Sequence, residues 1–247
     1  MSLPRRFRPL ALAVSLACGP LSVLPAHAAS PAVANVNALR RPLAAGFGLQ
    51  VDRDPAVRGT LWFDGAGQTC VQITEPLEQR IWMGKGAMVL YHPKEAKVFR
   101  QTLGDKSLPP FLDAIVVSLR APSESLPQGA SLVGKRTVAE GVEEIWRIDQ
   151  PTTGLKMSVR AVEGPAGVVQ TEVLDGDGVL LRKYRFGDRR NAHRVSLAGR
   201  VDASYFAKGK LQRSERWTLN WQDRPGAVPR DERTCLRITG KPSETKL

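Results

Sequence analysis

The sequence predicts a mainly β fold of the α+β class, with few helices and one large curved antiparallel sheet of about ten or eleven strands. Short runs of alternating apolar and polar residues are separated by turns rich in glycine and proline. Glycine and proline supply 40 of the 247 residues (22 plus 18), which is typical of sheets with many turns. One stretch, residues 108–119, instead carries its apolar side chains at helical spacing.

The first 28 residues have the pattern of a cleavable signal peptide. Three arginines within residues 5–8 form a basic start, and an apolar run follows over 10–24. Ala26-His27-Ala28 then has the form of a cleavage site. The apolar run is too short for a transmembrane helix, so we expect export to the periplasm and a single mature domain over 29–247.

Export changes what the charge of the chain implies. The chain has 36 Lys and Arg against 24 Asp and Glu, a net charge of +12, and removal of the leader leaves +9 (33 minus 24). This excess predicts attraction to polyanions. For an exported protein these are anionic membrane surfaces or acidic partners, and we expect no nucleic-acid partner.

The three cysteines have two expected roles. Cys18 lies in the leader, where Leu16-Ala17-Cys18 loosely resembles a lipobox, so lipidation of Cys18 is the alternative to simple cleavage. Cys70 and Cys235 remain after cleavage, and an even pair in an oxidising compartment predicts a disulfide. That bond would close a loop of 164 residues (71–234). The other possibility is a pair of unlinked buried thiols.

The elements follow in a regular order. Residues 30–48 are small and weakly periodic, which predicts a short helix or a flexible lead-in. The helix predicted over 108–119 begins near Pro109-Pro110 and is followed by a loop over 121–130. Strands are predicted over 59–63, 70–74, 79–83, 87–91, 96–101, 142–149, 155–163, 167–174, 179–186, 194–204 and 210–221.

Period-two alternation places the apolar side chains of the first strands on one face. The residues that share this face are Leu61, Phe63, Val71, Ile73, Ile81, Met83, Met88 and Leu90. Cys70 falls on the opposite face, where a C-terminal segment carrying Cys235 could cross it. The apolar residues of the predicted helix are Phe111, Leu112, Ile115, Val116 and Leu119. A sheet with one apolar face needs a helix, another sheet or a ligand to cover it.

Residue types that carry catalysis or bind metals are scarce. The exported chain has two histidines, His92 and His193, and neither has a metal-ligand spacing to another His, Cys or Asp. The sequence contains no nucleophile elbow, P-loop or dinucleotide fingerprint. We therefore expect no catalytic residues, no metal and no cofactor, and the sequence does not predict an enzyme.

The strongest local concentration of positive charge lies in the second half of the chain. Its members are Arg182, Lys183, Arg185, Arg189 and Arg190. Cations that alternate with Tyr184 and Phe186 are typical of a strand with aromatic residues inside and charges outside. The residues form either an ordinary solvated face or a surface for anionic headgroups or acidic partners.

Four segments in the first half, taken in register, resemble the LolA-type periplasmic carriers of the outer-membrane lipoprotein localisation system. They are Gly59-Thr60-Leu61-Trp62-Phe63, Thr74-Glu75-Pro76, Gly84-Lys85-Gly86 and Leu90-Tyr91-His92-Pro93. The resemblance covers residues 59–119 and implies an unclosed, strongly curved antiparallel β-barrel. The apolar sheet residues would line a concave cavity for acyl chains, and the helix would be its lid. The carriers have an arginine where this chain has Gly65, and that arginine helps to hold the lid shut.

The leading hypothesis is therefore a monomeric, non-catalytic periplasmic carrier or binder of lipoprotein acyl chains or other lipids. The alternative is an envelope interaction or stress-sensor module of the same fold, which binds a protein partner without carrying lipid. An inner- or outer-membrane protein and an anionic membrane surface are further expected partners. In a third arrangement the helix covers the apolar face of the sheet permanently and no ligand binds. This arrangement buries the same residues.

Processing of the leader can be tested directly on the exported protein. Cleavage at the predicted site should leave an intact mass that begins at Ala29, because Ala26 and Ala28 supply the small residues that the peptidase requires. Mass spectrometry of the protein from the periplasmic fraction measures this. A chain that begins at an acylated Cys18, or that retains residue 1, would contradict the prediction.

Overall fold

The computed structural model describes residues 41–102, 110–119, 126, 129–150, 154–192, 195–238 and 242–246. The predicted leader with Cys18, His193 and the side chain of Phe111 lie outside the described residues. Within the described ranges, strands make up most of the chain, as predicted.

The strands form one fourteen-stranded sheet and one small hairpin. In chain order they are β1 (Leu43–Val51), β2 (Val57–Phe63), β3 (Thr69–Glu75), β4 (Gln79–Gly84), β5 (Ala87–His92), β6 (Lys97–Thr102), β7 (Ala130–Val138), β8 (Gly141–Gln150), β9 (Leu155–Gly164), β10 (Gly167–Asp175), β11 (Leu180–Gly187), β12 (Arg190–Ala192), β13 (Val195–Leu197), β14 (Arg200–Ala207), β15 (Lys210–Trp221) and β16 (Ser243–Lys246). The helices are α1 (Pro110–Leu119) and α2 (Glu232–Leu236), with a 3-10 turn at Pro93–Glu95. Neither α1 nor α2 is long and apolar enough to cross a membrane.

The large sheet consists of two antiparallel meanders that meet in its middle. Its strand order is β16-β6-β5-β4-β3-β2-β1-β15-β14-β11-β10-β9-β8-β7, and only the β16–β6 pair is parallel. The pairing of β1 with β15 joins the meander β1–β6 to the meander β7–β15. The outer strands β16 and β7 do not pair with each other, so the sheet is an unclosed barrel.

The main core lies on the concave face of this sheet. Register pairing aligns Ala45, Leu61, Val71, Ile81 and Leu90 in one cross-strand row over β1–β5. Neighbouring side chains in such a row pack against one another, which gives a continuous apolar surface. The helix α1 packs onto this surface and against β14.

A second, smaller core lies on the convex face and involves the C-terminal segment. Its buried members are Cys70, Trp82, Val89, Tyr91, Val98, Cys235 and Leu236. A disulfide joins Cys70 to Cys235, which confirms the predicted bond and the predicted face of Cys70. Asp231 caps α2 by accepting a hydrogen bond from the Thr234 N–H, and Glu232 forms a two-pronged ion pair with Arg100 at 2.6 and 3.0 Å.

Each predicted strand except the one over 194–204 has a counterpart in the structure, and the predicted helix is α1. The prediction of one strand over 194–204 is wrong, because the hairpin β12–β13 turns back before β14 starts at Arg200. The strands β7 and β16 and the helix α2 were not predicted. β7 is exposed on both faces and therefore lacks one-sided alternation.

The prediction of a helix or flexible lead-in over 30–48 is wrong for its described part, since β1 starts at Leu43. The strand is central and is buried on both faces over its first residues, so its sequence does not alternate. The neighbouring strand β2 requires a glycine at position 59, because other atoms lie very close to that position. A side chain at Gly59 would lie 2.1 Å from the Gln72 carbonyl oxygen and 2.9 Å from the Phe47 ring.

The disulfide is expected to supply a large share of the stability of the C-terminal segment. Replacing Cys70 and Cys235 together by alanine should lower the free energy of unfolding by up to about 5 kcal/mol, because the closed loop restricts the unfolded chain. Urea denaturation of the exported protein measures this. A reductant should destabilise the wild type and leave the double variant unchanged, and equal midpoints for both proteins under oxidising conditions would contradict the prediction.

Candidate functional site

The eight sheet residues that the sequence assigns to one face do lie together on the concave face. Those buried in its core are Leu61, Phe63, Val71, Ile81 and Met83. Ile73, Met88 and Leu90 are half-buried and pack against the margin of that core. The concave face therefore continues as a partly open apolar surface along β3–β5.

The helix α1 contributes its described apolar side chains to the same core. Leu112, Ile115 and Leu119 are at most 1% exposed, and Val116 is 5% exposed. Ser118 is also buried, and its hydroxyl donates a hydrogen bond to the Ile115 carbonyl oxygen at 2.6 Å. Most of the contact between α1 and the sheet is apolar and therefore not directional.

One side chain of α1 forms directional bonds with the sheet. The Asp113 carboxylate accepts hydrogen bonds from the Tyr184 hydroxyl at 2.7 Å and from the Arg182 guanidinium at 2.9 Å. Both donors belong to β11, and Tyr184 is 1% exposed. We call this three-residue arrangement the α1 tether. Asp113 is not among the site residues predicted from the sequence, although a lone acid in a strongly apolar helix is an available signal.

A second polar group lies beside the tether on the same face. The buried Glu215 carboxylate accepts hydrogen bonds from the Trp217 indole at 3.2 Å and the Tyr205 hydroxyl at 3.3 Å. It also forms an ion pair with Arg213 at 2.6 Å. Tyr205 meets Tyr184 edge to face, with ring centroids 6.4 Å apart. The concave face is thus apolar over β1–β5 and partly polar over β11, β14 and β15.

The two tyrosines stay protonated because of their surroundings. Burial raises the pKa of Tyr184, and the nearby Asp113 carboxylate raises it further. Burial and Glu215 raise the pKa of Tyr205 in the same way. Both hydroxyls therefore remain hydrogen-bond donors at physiological pH.

The five basic residues that the sequence groups together do not form one surface. Arg182 faces the concave side with Tyr184, whereas Lys183 and Arg185 alternate to the convex side. Lys183 pairs with Glu172 at 2.8 Å, and Arg185 donates to the Gln170 side chain at 3.3 Å. The expectation of a single basic partner surface on this strand is thereby corrected.

The other two basic residues belong to the region of the β12–β13 hairpin. Arg189 donates to the carbonyl oxygens of Ser196 and Val168, and burial lowers the pKa of its guanidinium. Arg190 donates to the Asn220 side chain at 2.8 Å. These hydrogen bonds fix the hairpin against the rest of the fold. Leu197 of the hairpin and the following Ala198 are also fully buried in the concave core.

The described residues offer little for chemistry on a bound molecule. His92 lies at the end of β5, with its ring edge against Phe99 at a centroid distance of 5.5 Å. No three His, Cys, Asp or Glu side chains come together in the described ranges as a metal site would require.

Comparison with known proteins finds similarity in structure alone. No profile of a known protein family and no curated protein matches the sequence. A LolA superfamily protein from Nitrosomonas europaea superposes with a TM-score of 0.52 and 13% identity, covering 78% of this chain and 94% of that chain. A domain from Vibrio parahaemolyticus assigned to outer membrane lipoprotein sorting gives 0.52 and 14%, covering 79% and 92%.

A third solved structure extends the group. A DUF1329 family protein from Desulfovibrio piger ATCC 29098 superposes with a TM-score of 0.51 and 13% identity, covering 78% of this chain and 92% of that chain. Identity at this level establishes a shared fold and leaves activity open. The resemblance predicted from residues 59–119 is confirmed at this level, and the chain has the LolA-like fold: an unclosed antiparallel barrel with a helix on its concave face.

Proposed function

We propose that the protein is a periplasmic, non-catalytic binder of lipids or acyl chains, lipoprotein acyl chains included. The observation that carries this proposal is the apolar concave face, which is covered by α1 and continues beyond its buried core at Ile73, Met88 and Leu90. The LolA-like fold supports it, because a domain assigned to outer membrane lipoprotein sorting has that fold. The predicted signal peptide supports the periplasmic location.

The energetics favour acyl chains as the ligand. Each methylene that leaves water for an apolar surface contributes about 0.8 kcal/mol, so ten methylenes would contribute roughly 8 kcal/mol. An acyl chain and α1 bury the same kind of surface on the sheet. A ligand can therefore replace part of the contact between α1 and the sheet at little net cost in buried apolar area.

The α1 tether makes α1 a candidate lid. Apolar contacts can shift without a large penalty for misalignment, whereas the bonds of Asp113 to Tyr184 and Arg182 fix one position. Breaking and remaking these bonds would separate a closed from an open arrangement. In this proposal the tether takes the role that an arginine has in the carriers, where it follows the strand that corresponds to β2 and where this chain has Gly65.

The alternative function is a module that binds a protein partner and carries no lipid. The feature that favours this alternative is the basic strand β11. Against it, the cations of β11 lie on two faces of the sheet and bind Asp113, Glu172 and Gln170. Lipid binding accounts for more of the described structure, since it gives the concave face and α1 a role. The experiments below separate the two functions.

Lipid uptake should depend on the concave face and not on the convex face. Ile73→Lys, on the half-buried concave margin, is expected to reduce binding of a fluorescent fatty acid at least tenfold, because it places a charge in the apolar surface. Thr74→Lys is the matched control, since Thr74 is the exposed next residue of β3 on the other face. Fluorescence titration measures both variants.

Mass spectrometry of organic extracts from the same preparations should identify bound lipid. Wild-type protein that binds no fatty acid and yields no lipid on extraction would contradict the proposal. Equal uptake by the Ile73→Lys and Thr74→Lys proteins would contradict the assignment of the ligand to the concave face.

The tether should slow the release of bound lipid. Tyr184→Phe removes one of the two bonds to Asp113 while keeping the ring, so we expect several-fold faster release and a loss of about 1 kcal/mol in stability. Tyr91→Phe, in the buried convex core, is the control for losing a hydroxyl elsewhere. Stopped-flow transfer of the fluorescent fatty acid to vesicles measures the rates, and equal release from both variants would show that α1 does not gate the site.

A further inference from the structure

The exposed large apolar side chains of the described residues all lie at one end of the sheet. They are Leu77, Leu132, Val133, Val179 and Leu211. This end, which we call the rim, contains the β1–β2, β3–β4, β10–β11 and β14–β15 turns and the start of β7. At the opposite end, the β2–β3, β4–β5, β7–β8 and β9–β10 turns expose no large apolar side chain. Exposed apolar residues that are scattered singly are normal on protein surfaces, whereas exposed apolar side chains that lie together mark contact sites.

Two turns of the rim form one apolar tip. Leu211 is 57% exposed, the highest value in the set, and it pairs across the β14–β15 hairpin with the half-buried Phe206. Val179 from the neighbouring β10–β11 turn reaches the same hairpin, since its methyl lies 4.0 Å from the place of a Cβ at Gly209. Val179 and Leu211 are therefore exposed on two adjacent hairpins, and the half-buried Phe206 lies opposite Leu211.

Two lysines flank this tip. Lys208 and Lys210 lie on either side of Gly209, are exposed, and form no ion pair with the described residues. Two acids, Asp175 and Asp177, lie in the neighbouring β10–β11 turn, and neither forms an ion pair with these lysines in the described structure. Asp175 accepts hydrogen bonds from the backbone N–H groups of Asp177 and Val179, and Asp177 is exposed. The tip thus combines protruding apolar side chains with cations that are free to bind phosphate.

We propose that this tip docks the protein onto a bilayer that contains anionic phospholipids. Val179 and Leu211 would enter the boundary between headgroups and acyl chains, and Lys208 and Lys210 would bind lipid phosphates. Exposed apolar side chains with flanking lysines match the acyl chains and the adjacent phosphates of an anionic membrane. The net charge expected for the exported chain, +9 (33 minus 24), adds long-range attraction to an anionic membrane. Docking is independent of cargo, since a protein that carried nothing could still bind a membrane in this way.

Vesicle co-sedimentation of the protein purified after export tests the proposal. We expect binding to phosphatidylglycerol-containing vesicles and weaker binding to phosphatidylcholine vesicles. Val179→Ser with Leu211→Ser should lower the partition coefficient about tenfold on both kinds of vesicle. Lys208→Glu with Lys210→Glu should lower it by at least roughly fivefold per lysine, and only on the anionic vesicles.

The chain offers a matched control for the charge change. Lys85 occupies the β4–β5 turn at the opposite end, has the same left-handed backbone as Lys208 (φ 51° against 50°), and likewise precedes a glycine. Lys85→Glu should leave vesicle binding nearly unchanged. The single variant Lys208→Glu is compared with Lys85→Glu. An equal loss in these two single variants would overturn the proposal, as would unaltered binding by the serine double variant.

Fatty-acid titration without vesicles separates docking from cargo binding. The rim variants should take up the fluorescent fatty acid as the wild type does, which shows that they are folded and that the concave face is intact. Vesicle binding by a wild type that takes up no fatty acid would support docking and contradict the proposed function. Failure of the wild type to bind either vesicle would overturn docking and point to a protein partner at the rim.

Discussion

The pairing of β1 with β15 is the interaction on which the rest of the structure depends. Seven residue pairs, from Ala45 with Trp221 to Val51 with Glu215, join two meanders that are far apart in sequence into one curved sheet. The concave core needs side chains from both meanders, because Phe47 of β1 packs against Trp217 of β15, with ring centroids 5.6 Å apart, and Leu61 and Tyr184 belong to the same buried cluster. Without this pairing each meander would expose an apolar face that it could not bury alone.

The two faces of the sheet are covered in physically different ways. On the convex face, a disulfide, a capped helix and the Arg100–Glu232 ion pair hold the C-terminal segment firmly. On the concave face, α1 is held by apolar contacts and by the single carboxylate of Asp113. A cover held by few directional bonds is the one that a ligand can displace, which is why the proposed lid is α1 and not the C-terminal segment.

The cations of the chain likewise differ in whether they bind partners within the described structure. The cations of β11 and of the hairpin region that follows bind Asp113, Glu172, Gln170 and backbone carbonyls, so they stabilise the fold. Lys208 and Lys210 at the rim have no such partners in the described structure. Arg185 and Arg190 donate to neutral side-chain amides, so their positive charges are not neutralised and contribute to long-range attraction together with those of Lys208 and Lys210.

The sequence by itself determined the strands β2–β5, their apolar face, the position of α1 and the face of Cys70. These features follow from local periodicity, which each segment carries in its own residues. Only the tertiary structure decided the identity of β1, the edge strand β7, the β12–β13 hairpin and the α1 tether. A central strand buried on both faces and an edge strand exposed on both faces show no alternation, and Asp113 meets Tyr184 across 71 residues of chain. Such contacts depend on how distant segments pair, and no local pattern of residues specifies that pairing.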